Sequence, residues 1–322
     1  MSHRCFLRER SCTRRRVGRV LATLVIAMLL TNARMSTLAA QTLEDAEMLQ
    51  PRELHATAMY GRDAWDQYWE GSLKRSNGNI GTVTTRTITG TLGYGVSSRL
   101  TVLASLPYVS TEASQGVLRG MSGRQDLSLM AKYRLINADV AGRARLKVLA
   151  VAGAGLPTTD YTPDFLPMSI GLHSKSLLGR GALHLQDRTG WFIDGYAERI
   201  WRSNVQLDRS TYFTDGQFTA SNEVVMPDVA EYRAAVGFQN ARWCIPVGLT
   251  EQHTLGGGDI RRQDMPFVSN RMDFTTGHAE VMYFLPRVAG LRLDLGVMHT
   301  LRGRNVGQST TIMTGFTYAL HL

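Results

Sequence analysis

Charged side chains of both signs stand at even spacing inside segments otherwise made of apolar or small residues. Lys132 and Arg134 form one such set, Arg145 and Lys147 a second, Asp194 and Glu198 a third, and Glu231 and Arg233 a fourth; Glu280 stands in a further segment, and Arg292 and Asp294 share the next. Residues an even number apart in a strand project to the same side, so each set shares one face. Two uses fit such charges on the inner wall of an enclosed space. Held apart, Lys132, Arg134, Arg145 and Lys147 against Asp194, Glu198 and Glu231 create a transverse field that filters small polar or aromatic solutes. Paired, they make a hydrated plug that holds a narrow enclosure rigid. Neither use requires a covalent step.

Hydrolysis is the rival chemistry. His55, His173, His184, His253, His278, His299 and His321 could serve as bases, and each would need a Ser or Asp nucleophile at its own height. His299, with Ser309 and Thr310 near it in sequence, comes nearest to that requirement, although a histidine at a rim accounts for it more simply. No GxSxG, HExxH or phosphate-loop pattern occurs. The run Gly256, Gly257, Gly258 is followed by no helical pattern and reads as a flexible loop rather than a phosphate cradle. Trp65 and Trp69 lie in a long polar connection, where they line a rim or hold a ligand. Of three cysteines, Cys5 and Cys12 belong to the leader described below, which leaves Cys244 alone. That excludes a disulfide framework or a cysteine metal site within one mature chain, and no cofactor is expected.

The elements that must position these charges are strands. From Ile88 to Tyr108 the chain reads Ile88, Gly90, Leu92, Tyr94, a short break at Val96 to Arg99, then Leu100, Val102, Ala104, Leu106, Tyr108. Two alternating runs of about ten residues joined by a tight turn predict a hairpin. The pattern repeats to the C-terminus, and it predicts about twelve strands with connections alternately short and long. An up-and-down antiparallel transmembrane β-barrel, with short periplasmic turns and long outer loops, has that rhythm; a Greek-key sandwich does not. Aromatic residues gather near strand ends (Tyr60, Tyr94, Tyr108, Tyr133, Trp191, Trp243, Tyr283), as in the interfacial belts of membrane barrels. A secreted soluble β protein is the alternative, because alternation alone does not say which face meets water.

The formal charge of +9 is concentrated at the N-terminus. Without residues 1–40, which hold eight arginines and one glutamate, the chain is close to neutral, and the case for a nucleic-acid partner disappears. Residues 1–40 read as a cleaved signal peptide: a basic region to Arg19, an apolar run from Val20 to Leu30, and small residues ending at Ala39 and Ala40. The apolar run is too short to span a bilayer as a helix. Residues 41–52 then form a short periplasmic segment, with a helical turn allowed at Leu43 to Leu49, and 53–322 form the barrel.

The stretch Tyr94, Gly95, Val96, Ser97, Ser98, Arg99, Leu100, Thr101, followed by Ser105, Leu106, Pro107, Tyr108, resembles a signature of a bacterial outer-membrane family named for the MetA pathway of phenol degradation. Gly123, Asp126, Leu127, Leu129, Ala131 to Leu135, and Gly155 to Thr158 with Asp160 and Tyr161, resemble its next stretches. The likeness covers about residues 80 to 165 and fades to pattern beyond them. It implies an outer-membrane channel or transporter, and it supplies no catalytic residues and no firm substrate.

The reading is therefore an outer-membrane barrel of a Gram-negative cell that passes or binds a small solute, aromatic or hydrophobic in the family's manner, and performs no chemistry. Its expected partners are membrane lipids, the solute, and the barrel-assembly machinery through the C-terminal strand residues Phe316, Tyr318, Leu320 and Leu322. A barrel-embedded hydrolase and a structural or adhesive barrel with functional outer loops stay open beside it.

Overall fold

The computed structural model describes residues 47–261 and 265–322. Twelve long strands carry the chain: β1 Glu53–Trp65, β2 Val83–Ser97, β3 Leu100–Ala113, β4 Asp126–Val140, β5 Ala144–Pro157, β6 Ser176–Asp187, β7 Trp191–Arg202, β8 Val229–Gln239, β9 Trp243–Thr254, β10 Asp273–Phe284, β11 Leu291–Arg304 and β12 Thr310–His321. Each pairs antiparallel with its neighbours in sequence, and β1 also pairs with β12, so the sheet closes on itself. This is the expected barrel. The signal segment 1–40 and most of the helical turn allowed at Leu43 to Leu49 lie outside the described residues.

The exposure of alternate side chains decides which face meets which medium. On β11, Leu293, Leu295 and Val297 point outward at 45%, 57% and 43% exposure, while Arg292 and Asp294 point inward at 3% and 9%. A fold in water would do the reverse, since exposing Leu and Val while burying Arg and Asp loses on both counts. β9 repeats the arrangement, with Val247 and Leu249 outside and Cys244 inside. Only lipid around the wall makes such an exterior favourable, so the barrel spans a membrane.

Turns of two to six residues join the strands at one end, and connections of twelve residues or more join them at the other, except for the five residues 305–309 between β11 and β12. In the turn between β6 and β7, Asp187 Oδ1 accepts the N–H groups of Thr189, Gly190 and Trp191 at 2.8, 2.9 and 3.0 Å. Gly190 closes that turn at φ 104°, where a side chain would be strained.

Two details differ from the sequence reading. The strands run to between 11 and 15 residues rather than about ten, because backbone pairing outlasts the apolar alternation: Asn137 pairs with Lys147 and Asp139 with Arg145. A bulge between Arg134 and Ile136 turns Leu135 and Ile136 both outward, which hides the continuation. The first outer connection is also shorter than the roughly twenty residues expected. β1 continues to Trp65, and Gln67–Glu70 pairs with Leu73–Ser76 as a small hairpin.

All seven aromatics expected near strand ends have outward parity. Tyr60 and Tyr108 lie toward the outer end; Tyr94, Tyr133, Trp191, Trp243 and Tyr283 lie toward the turns, where the Trp243 and Tyr283 rings meet at 4.3 Å.

Candidate functional site

The inward charges pair along the wall. Arg180 Nε on β6 donates to Glu198 Oε2 on β7 at 2.5 Å, and its guanidinium lies over the Tyr196 ring at 4.2 Å. Tyr196 Oη donates to Glu231 Oε1 on β8 at 2.6 Å. Arg233 reaches Glu280 on β10 at 3.6 Å, and His184 lies 4.0 Å from Asp194. Nearer the turns, Arg292 meets Asp294 at 2.6 Å and donates to Thr317 Oγ1 at 3.0 Å. Lys132 is fully buried. Acid and base sit on the same strand or on strands one or two apart rather than on opposite walls, and such buried pairs hold the interior rigid as long as both members stay.

Arg134 and Arg145 stand apart from this ladder. Arg134 Nη2 donates to the Ser98 carbonyl at 2.5 Å beside the β2–β3 turn, and Arg145 is exposed at the start of β5. Arg180 escaped the sequence reading because it stands between Gly179 and Gly181, where the apolar alternation is faint. Across the lumen the wall is different in kind. There Met59 on β1 and Met313 on β12 point inward, with Leu103 and Thr91 on the neighbouring strands.

Residues 47–50, part of the segment read as periplasmic, enter the barrel at the turn end. Glu47 takes two hydrogen bonds from Lys147 Nζ on β5, at 3.0 and 3.1 Å. Met48 is buried among Leu149, Ala182 and Tyr196, inward residues of β5, β6 and β7. Leu49 is 2% exposed, and its N–H donates to Thr101 Oγ1 on β3 at 3.1 Å. Four residues therefore bridge the lumen from β3 to β7. Gln50 crosses β2 at Gly95, where any Cβ would overlap its carbonyl oxygen. Gly95→Leu should consequently dislodge the segment and open Lys147 to an amine-reactive label. Labelling as slow as in the native chain would show that the seat does not matter.

At the outer end the connection between β5 and β6 folds inward. Met168, wholly buried, packs with Ile80 and Val83, and Ile170 packs with Val109 and Tyr161, so part of residues 158–175 lies against β2 and β3. Thr111 Oγ1 donates to the Met168 carbonyl at 2.6 Å. A second group fastens three other connections. Asp259 accepts from Arg304 at 2.7 and 2.6 Å and from Asn305 Nδ2 at 2.8 Å, and Asn305 Oδ1 accepts the N–H groups of Gly71 and Ile260.

The Arg304 hydrogen bonds hold the Asp259 carboxyl below the ordinary aspartate value of 3.8. A carboxyl with a depressed pKa favours the fastened state above its free pKa and loses that contribution as pH falls through the depressed value. At neutral pH, where the native contact is intact, Asp259→Asn should therefore hasten trypsin cleavage after the exposed Arg261. Equal cleavage rates would remove the fastening role.

The remaining candidates have local explanations. His299 Nδ1 meets Thr310 Oγ1 at 2.9 Å and Nε2 meets Gln308 at 3.4 Å, while Ser309 Oγ meets Thr300 instead. Trp65 and Trp69 pack over Gly307 and Gly303, which places them in the outer rim. Gly256–Gly258 line an open outer cleft of about 680 Å³ together with Tyr212, Asp215 and Met226. Among the described residues, no three His, Cys, Asp or Glu side chains converge as a metal site.

No family model matches the chain, and no curated protein does. Among solved structures, an outer-membrane channel from Pseudomonas putida F1 is similar over 88% of this chain and all of its own, with 17% identity and a TM-score of 0.70. The translocator domain of the autotransporter NalP from Neisseria meningitidis (12% identity, 96% of this chain and 97% of its own, TM-score 0.45) and the NanC porin (8%, 81% and 100%, 0.45) are more distant. At 17% identity the first likeness establishes the fold, that of an outer-membrane β-barrel.

Proposed function

We propose that the chain is an outer-membrane channel for a small solute, held closed at its periplasmic mouth by residues 47–50. One observation carries this reading: those four residues fill a lumen whose wall is complete without them. A segment that belongs to no strand can leave without breaking a ladder hydrogen bond, and its departure opens the space between Tyr196 and Thr101. The structurally similar protein from Pseudomonas putida is itself described as an outer-membrane channel, which supports the same role here.

The two-sided lumen suits an amphipathic aromatic solute. Met59, Met313 and Leu103 offer an adaptable apolar surface for a ring, and the Arg180 to Glu280 ladder offers polar partners for a hydroxyl. The resemblance to the phenol-degradation family points the same way. Export by the 1–40 signal, insertion through Phe316, Tyr318, Leu320 and Leu322, and anchoring by the tyrosine and tryptophan belt complete the proposal. Reconstitution in planar bilayers and in phenol-loaded vesicles tests it. Stepwise conductance with phenol efflux is expected; a silent bilayer accompanied by phospholipid hydrolysis would replace the channel with an enzyme.

A further inference from the structure

The exterior of β12, β1, β2 and β3 carries a feature that passage through the lumen does not use. Arg62 on β1 and Arg86 on β2 have outward parity and stand directly opposite each other in the ladder, close to the outer end of both strands. Like charges in direct cross-strand register repel, so the pair is unfavourable unless an anion lies over it. Glu112 answers part of this, accepting from Arg86 Nη1 at 2.7 Å. Arg62 is exposed and makes no hydrogen bond or salt bridge among the described residues; the carboxylate next to it in sequence, Asp63, turns inward to Thr311, so the outer face keeps a net positive charge.

Toward the membrane centre the same strands make a groove. Tyr60, Ile88 and Tyr108 form the next exposed row; beyond them Ala58 and Gly90 lie between the larger Phe316 and Leu106, and the row after that holds Ala56 and Ala104 on either side of Leu92. The hollow measures about 410 Å³ and is almost entirely apolar in lining. Four residues along a strand separate Arg62 from Ala58, about 13 Å at the strand rise. That distance matches a lipid whose anionic headgroup lies at the arginines while an acyl chain runs past Ile88 into the hollow.

We propose that this face binds a phosphate-bearing membrane lipid of the outer leaflet, its phosphate on Arg62 and Arg86 and one acyl chain on Ala58 and Gly90. Arginine suits the task because its planar fork meets phosphate oxygens in pairs. The small residues suit it because a membrane wall of uniform Leu and Val would leave no furrow. Binding would cover the cationic pair and fix the barrel's height in the membrane.

Native mass spectrometry of the detergent-purified full chain tests the proposal. The probe is a phosphorylated, acylated disaccharide lipid, compared with the same lipid after dephosphorylation and with inorganic phosphate. One phosphorylated lipid per barrel is expected, with a loss of about fivefold in affinity for each arginine changed in Arg62→Gln and Arg86→Gln. Gly90→Leu, where an added Cβ meets open space, should weaken lipid binding while leaving the boiled-versus-unboiled gel shift of the folded barrel intact. Undiminished affinity in Arg62→Gln, which gives up no hydrogen bond or salt bridge and keeps the fold, would overturn the proposal. So would inorganic phosphate displacing the lipid at equal concentration, or equal retention of the dephosphorylated lipid.

Discussion

Replacing Met48 and Leu49 together by aspartate should convert the reconstituted barrel from a mostly closed to a mostly open channel. Burial of the two native side chains favours the seated segment by about 1.5–3 kcal/mol each. The lost chain freedom of the four residues opposes it at about 1–2 kcal/mol apiece. The Glu47 bonds to Lys147 add to the favourable side, at about 1.5–3 kcal/mol for bonds to charged groups. These opposing sums are comparable, so the seat is only modestly stable and the native channel should open from time to time. Two carboxylates in place of Met48 and Leu49 remove the favourable burial and add the cost of dehydrating charge, which exceeds it. A shift of more than about 3 kcal/mol changes the closed-to-open ratio by over a hundredfold. Single-channel recording would show this as a rise in open probability with unit conductance unchanged. An open probability equal to that of the native chain would mean that residues 47–50 do not gate.

Glu198→Leu should destabilise the barrel by about 3–5 kcal/mol, because it removes the carboxylate from Arg180 at a site where both side chains are almost entirely buried. Arg180→Leu combined with Glu198→Leu should recover most of that loss, since a matched apolar pair has no charge to dehydrate. The measurement is urea unfolding in detergent, followed by the gel shift between unboiled and boiled samples. If the double variant is as unstable as the single one, the pair is not the unit of stability and the Tyr196 contacts must carry the site instead. The same variants separate structure from passage. A matched apolar pair that restores stability but slows efflux of a hydroxylated ring would assign the ladder to the solute as well as to the wall.

Much of the fold was legible because a membrane barrel writes its environment into every second residue. Leu293, Leu295 and Val297 against Arg292 and Asp294 announce a strand whatever surrounds it, and only their exposure on the closed barrel shows that the apolar row faces outward. The charge ladder was partly legible: Glu198, Glu231, Arg233 and Glu280 share parity with their partners, whereas Arg180 sits among Gly179, Gly181 and Ala182, where the alternation is faint. Strand ends were not, because the bulge after Arg134 shifts the parity just where the turn was sought.

The segments seated at the two mouths could not be read at all. Met48 and Leu49 are two apolar residues with no period, and nothing local says that they meet Tyr196 almost 150 residues later. Met168 is equally silent in a loop without periodicity, yet it is wholly buried against Val83. Both depend on contacts between segments that only the closed barrel brings together.

The most direct trial of the gate uses cysteines at Leu49 and Thr101, whose backbone and hydroxyl are 3.1 Å apart in the closed state. Cys244 is buried inside the wall and need not be changed. Joined by a disulfide or a short bis-thiol reagent, the two positions should hold the channel silent in a planar bilayer, and reductant or a cleavable linker should restore stepwise openings in the same membrane. Conductance that continues undiminished while the crosslink is intact would contradict the gate.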